Sequence, residues 1–210
     1  MRYLLGVLLC LAAPLAQALS IDAALITQLQ GEVSVESDKG AKRPALPFLK
    51  LAAGETLQLK AGSKVQVVYF ESGRQESWTG AGQVEVAATE GRSRAMTPEV
   101  KQLPPLMVKQ LAKTPGAGQQ GRAGMVVMRS LPTPDKVVRL ENQYAEFKKD
   151  SNVDDLTPEV FYLSGLIELK EGDRARAVLS MLRARQGEAG VLPIVEYFTP
   201  LAESLGRSPR

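Results

Sequence analysis

Histidine occurs nowhere in the 210 residues, and the single cysteine, Cys10, lies in an apolar N-terminal run. Those two facts remove the commonest general base, the commonest transition-metal ligand and the thiolate nucleophile. No serine is followed three residues later by lysine, so that nucleophile–base pattern is missing as well. We expect no phosphate-cradling glycine loop, no cofactor and no metal. Carboxylates are what remain: Asp154, Asp155 and Glu159 near one helix start, and Glu168, Glu171 and Asp173 around a helix end. The first group could hold a cation or a sugar. Carboxylates at a helix N-terminus are, however, favoured by the exposed amide dipoles without any ligand. Neither group has calcium-loop spacing, so both read as helix ends and caps, and no catalytic residue is expected. Among aromatic residues, Trp78 is flanked by Ser77, Thr79 and Gly80, which makes it a candidate contact for a partner protein or a glycan. Tyr69, Phe70 and Phe161 read as core, and Tyr162 as a second candidate partner contact.

The elements that carry these residues divide the chain in two. From Ile21 to about Ala88, short Val- and Leu-rich runs are separated by glycines, and strands are expected at Ala24–Gln30, Glu32–Glu36, Glu55–Leu59, Lys64–Phe70, Arg74–Thr79 and Gln83–Ala87. Val33 and Val35 alternate with polar neighbours, as in a half-buried strand. Val65–Phe70 is apolar on both faces after Gln66, which suggests the centre of a sheet. Gly73 supplies the tight reversal into the next strand. This pattern predicts a small all-β sandwich or barrel over residues 21–95. Residues 96–132 read as a helix from Pro105 to about Lys113, then a linker in which Thr114–Gly124 contains four glycines. Met125–Met128 is either an extra strand or a packed connection.

From residue 133 to 206 the period becomes helical. Val137, Leu140, Tyr144 and Phe147 share one stripe of a helix opened by Pro134. Thr157, Pro158 and Glu159 open a second helix that runs to about Lys170, with Gly172 as its stop. A third runs from Arg174 to about Arg185, and a fourth from Ile194 to Leu205, where Pro200 is expected to kink or shorten it. The fold class is α+β, a β domain followed by a small helical unit.

The N-terminus directs the molecule outward. Arg2 precedes an apolar run from Tyr3 to Ala13, followed by Ala16-Gln17-Ala18, so residues 1–18 read as a secretory signal peptide cleaved after Ala18. Leu9 before Cys10 is not the small residue that a lipoprotein signal places there. Removal of the signal leaves 25 Lys and Arg against 23 Asp and Glu, a net charge of +2, and no thiol. Near balance argues against nucleic acid as a partner, and no later apolar run is long enough to span a bilayer. The expected location is the periplasm.

Two resemblances follow. Leu29-Gln30-Gly31-Glu32-Val33-Ser34-Val35, Leu51-Ala52-Ala53-Gly54-Glu55, Gly62-Ser63 and Val65–Phe70 with Gly73 occur in the order and spacing of a FecR-like periplasmic domain, which the segment 24–88 resembles. Phe161, Gly165, Gly172, Ala177, Met181 and Ala184 fall at the packing positions of a tetratricopeptide repeat, which residues 158–189 resemble as a single unit, with Ser164 and Glu168 departing from its pattern. The first resemblance implies a sensing or protein-contact role in the cell envelope. It does not imply the transmembrane regulator of that family, because this chain has neither a cytoplasmic helical domain nor an internal span. The second implies that Gly165 and Ala177 let two helices approach while Phe161 and Met181 fill the flanks. One repeat cannot bury its own apolar face and must pack on neighbouring helices or a partner. Together these imply a non-enzymatic protein-interaction or signalling-accessory protein of the envelope, with an envelope glycan bound at the Trp78 face as the alternative.

Overall fold

The structure is a computed structural model that describes residues 22–117, 134–185, 187–188 and 190–205. The signal segment and Met125–Met128 lie outside the described residues. The N-terminal part forms two antiparallel five-stranded sheets. The first has the order β10 (Glu99–Gln102), β7 (Arg74–Thr79), β6 (Lys64–Tyr69), β1 (Asp22–Gln30), β4 (Lys50–Ala52). The second has the order β3 (Lys42–Pro44), β2 (Val33–Glu36), β5 (Thr56–Leu59), β8 (Gly82–Val86), β9 (Gly91–Arg92). Period-two alternation sends Val33 and Val35, Leu57 and Leu59, Val65 and Val67, and Val84 and Val86 into one core between the sheets. The turn from β1 to β2 requires a glycine: Gly31 has φ 77°, and a Cβ there would lie 2.7 Å from Ser63 Oγ. That hydroxyl in turn accepts the Glu32 N–H at 3.0 Å and donates to the Glu32 carbonyl at 2.9 Å, joining the turn to the start of β6.

All six expected strands are present, and four more are added. The additions, β3, β4, β9 and β10, are the four edge strands. Because β10 pairs with β7, the β part runs to Gln102 and the 95/96 division falls short of its end.

Five helices complete the described chain: α1 (Pro105–Ala112), α2 (Pro134–Lys149), α3 (Thr157–Glu168), α4 (Gly172–Arg183) and α5 (Val191–Ser204). The chain is thus α+β. Every residue of α3 from Thr157 to Leu166 is buried, so this helix is the centre of the helical layer. The same apolar cluster includes Leu25, Phe48 and Val68 from the β part, so the helices lie on the outer face of the first sheet and make a third layer.

Three local expectations are corrected. Lys170, at φ 60°, takes the left-handed position that ends α3, and Gly172 instead starts α4. The Glu171 N–H donates to the Leu166 carbonyl at 2.8 Å, which closes the helix end. The helix α5 continues through Pro200 to Ser204. In α4 the packing positions are Ala175, Val178, Leu179 and Leu182, whereas Ala177, Met181 and Ala184 are exposed. Gly165 does permit close approach, but to α2: a Cβ there would lie 2.6 Å from Leu140 Cδ1.

Candidate functional site

Strand β7 determines which side chains can form a site. Its register with β6 places Trp78 opposite Val65 and Glu76 opposite Val67, all facing the second sheet. Trp78 is only 1% exposed. Its expected role as a surface contact is therefore corrected: its polar neighbours point to the other face of the same strand. Its indole N–H donates to Glu76 Oε2 at 3.2 Å. Glu76, fully buried, also accepts the Gly91 N–H at 2.9 Å and the Arg74 Nε–H at 3.0 Å. Tyr69 is in this core as expected; burial, reinforced by the Glu76 charge, pushes its hydroxyl pKa upward. Phe70 packs on the helical side.

Tyr162 is also buried. Its ring stacks on Tyr144 with centroids 4.6 Å apart and an interplanar angle of 10°, which leaves it 9% exposed and corrects its assignment as a partner contact. Burial, followed by the Glu159 charge, raises the Tyr144 pKa to about 12. Phe161 is core, edge-on to Phe147.

The carboxylates are not gathered into one center. Glu159 is buried, and its Oε1 accepts from Lys148 Nζ at 2.6 Å with Arg185 3.9 Å away. Glu168 accepts from Gln110 at 3.0 Å and Lys113 at 2.8 Å, joining α3 to α1. Glu171 pairs with Arg174, and Asp173 with Arg176. Among the described residues no group of three or more acidic, His or Cys side chains could hold a metal.

Asp155 differs from the rest because it turns toward the sheet. On the face of β7 that points away from Trp78, Gln75 and Ser77 lie beside Gln66 on β6 and Lys101 on β10. Asp155 Oδ1 accepts the Thr157 N–H at 3.0 Å and a Gln66 amide hydrogen at 3.5 Å. Its Oδ2 accepts from the Gln75 amide at 3.4 Å and from Lys101 Nζ at 3.3 Å. Burial works to raise the Asp155 pKa, yet the hydrogen bonds from Thr157 and Gln75 and the Lys101 charge outweigh it, and the carboxyl is held below its usual range. Both glutamine amide nitrogens face the carboxylate, while Oε1 of Gln66 and of Gln75 are buried without a hydrogen-bond partner. These groups line a cleft of about 340 Å³ between the outer face of the first sheet and the loop from α2 to α3.

Of the acidic group that the sequence offers as able to hold a cation or a sugar, Asp154 and Asp155 line this cleft and Glu159 does not. The other sequence signal is Gln66, the polar residue near the start of an otherwise apolar central strand. The expectation of no phosphate-cradling glycine loop is corrected at the level of spacing: Gly116, Gly118 and Gly121 have the interval of a dinucleotide-binding loop. That motif needs a strand before it, whereas here α1 precedes it. Gly118 and Gly121 lie outside the described residues. The first residues of the expected linker are tied down: Thr114 Oγ1 lies 2.7 Å from Ser164 Oγ, and the Ala117 N–H donates to the Phe48 carbonyl at 2.8 Å. Among the described residues no helix is long and apolar enough to cross a membrane. Compared with protein-family models, curated proteins and solved structures, the chain matches none.

Proposed function

We propose that this chain is an exported, non-catalytic binding protein of the cell envelope, a FecR-like β domain whose recognition surface is completed by the helical layer. The observation that carries this reading is the cleft. Its buried carboxylate is engaged by four donors, while two buried glutamine carbonyl oxygens beside it have no partner. A carboxylate held ionised and engaged in this way is suited to positioning neighbouring amides and not to moving protons. The exposed side chains of Glu99, Asn152 and Asp154 at the mouth of the cleft, by contrast, offer hydrogen-bonding groups to a ligand. The N-terminal export signature supports the location, and the sequence has no histidine and no cysteine after Cys10.

Two measurements test it. Osmotic shock should release a mature protein beginning at Leu19. Wild-type protein incubated with washed envelope should be retained, and a Ser77→Arg variant, which fills the cleft from β7, should not. Recovery of the uncleaved precursor from the cytosol, or equal retention of both proteins, would overturn the proposal.

A further inference from the structure

We propose that the outer edge of β10 is the surface on which two copies of this chain pair, strand to strand, about a two-fold axis at Val100. This goes beyond the binding role of the cleft and does not depend on it. Of the four edge strands, three are closed to an added strand. In β3 the Ala45 N–H donates to the Val33 carbonyl, which turns Arg43 toward β2 and leaves Lys42 and Pro44 facing outward. Pro44 has no N–H to give, so that edge is blunted. The strand β9 is two residues long. Beside β4 lies the chain that follows α1: the Ala117 N–H donates to the Phe48 carbonyl at 2.8 Å, and Lys50 Nζ to the Ala112 carbonyl at 3.1 Å.

The fourth edge is open. The Leu103 N–H donates to the Gly73 carbonyl at 2.9 Å, and with the β10–β7 register this turns the backbone groups of Glu99 and Lys101 toward β7 and those of Val100 and Gln102 away from it. Val100 is 49% exposed, and neither outward residue is charged. Pro98 and Pro104 bracket the strand, which keeps any added pairing short.

Charge selects the occupant and its register. Antiparallel pairing centred on Val100 sets that residue against itself in a second copy, so that each Val100 N–H donates to the other Val100 carbonyl. The same register places Glu99 of each copy opposite Lys101 of the other, and opposite charges directly across a pair of strands attract. Glu99 is exposed and has no ion pair among the described residues, while Lys101, though 3.3 Å from Asp155, is still 38% exposed. Centring the pair on Lys101 instead would set two cations face to face. The axis stands normal to the sheet, so the two first sheets become continuous and both helical layers stay on one side. There the α2–α3 loop is held to β10 by Lys101 Nζ, which donates to the Asp150 carbonyl and to Ser151 Oγ at 3.3 Å each. Val153 of that loop, 77% exposed, is a second apolar group that each copy brings to the edge. The paired strands are short, so the dimer should be weak, with a Kd of about 0.1–1 mM.

Sedimentation velocity of the mature protein should show a reversible monomer–dimer equilibrium in that range. Val100→Pro removes the central donor without touching the β10–β7 ladder, and Glu99→Lys turns the attraction into repulsion at an exposed side chain. Each should weaken the dimer about tenfold or more. The chain has no cysteine after Cys10, so Val100→Cys adds a single thiol to the mature protein. On the axis the two Cα atoms would be about 5.5 Å apart, within disulfide reach, whereas those of Gln102→Cys would be about 14 Å apart. Mild oxidation should therefore link Val100→Cys into a dimer and leave Gln102→Cys unlinked. The proposal is overturned if the wild type stays monomeric, if both folded variants dimerise as the wild type does, or if the two cysteine variants link equally. It is also overturned if an added extended octapeptide, and not a second copy, shifts the Val100 amide resonance.

Discussion

The two faces of the first sheet are made of the same strands and bury polar groups of different kinds. Its inner face buries Ala24, Ile26, Val65, Val67, Tyr69 and Trp78 against the second sheet. The single carboxylate admitted there, Glu76, has a donor on each oxygen. The outer face is apolar only where Leu25 and Val68 meet the helices. Beyond them it becomes amide-rich, and oxygens of Gln66 and Gln75 are left without partners. A buried charge with its bonds complete is compatible with a structural role. Incomplete bonding does not separate the faces, since the Tyr69 hydroxyl on the inner one is also buried without a partner; what separates them is one carboxylate among apolar side chains inside against a carboxylate held by two amides and a lysine outside.

Substitutions can break or sharpen this contrast. The largest effect is expected for Glu76→Ala, which strands the Trp78 and Gly91 N–H groups in the sandwich. Urea unfolding should show a loss of about 3–5 kcal/mol. On the outer face, Asp155→Asn should destabilise by about 2 kcal/mol at pH 7, because charged acceptors make the stronger hydrogen bonds. Since the Asp155 pKa is depressed below its ordinary 3.8, its contribution is complete above that value and is lost as the pH falls through the lower folded one. The gap between wild type and Asp155→Asn should therefore close below about pH 4, a trend absent if the carboxylate is not engaged in solution. Gly165→Ala tests the helical layer that covers the apolar half of this face. The new methyl group meets Leu140, and a drop of about 1–2 kcal/mol by thermal unfolding is expected. Smallest is Lys170→Gly, remote from either face of the sheet. It should stabilise by about 0.5–1 kcal/mol, because glycine takes a positive φ without the side-chain penalty.

The parts of this architecture that sequence made legible are those with strong periodicity. The six central strands and the stripe of α2 announce themselves by where apolar residues recur. The four edge strands do not: Lys42–Pro44 carries two cations and a proline, Gly91–Arg92 is two residues long, and edges are kept short and charged to discourage further pairing. The site was obscured by parity. Ser77 and Trp78 are adjacent on one strand and point to opposite sides of the sheet, so the polar residues around the tryptophan indicated the right strand and the wrong face. In α4 the repeat-like spacing of Ala177, Met181 and Ala184 identified a stripe that turns out to be solvent-facing. Burial there follows Ala175, Val178, Leu179 and Leu182. The cleft itself joins residues about 80 positions apart, Gln75 with Asp155, and no local pattern encodes such a meeting.

Leu25, Phe48 and Val68 belong to the β part by sequence and to the helical cluster by packing. The two portions are therefore not interchangeable units that recombination could separate at the end of β10. A sandwich inherited without its helices would present a bare greasy surface and tend to clump. Any separation of the two portions would need a substitute cover for that surface.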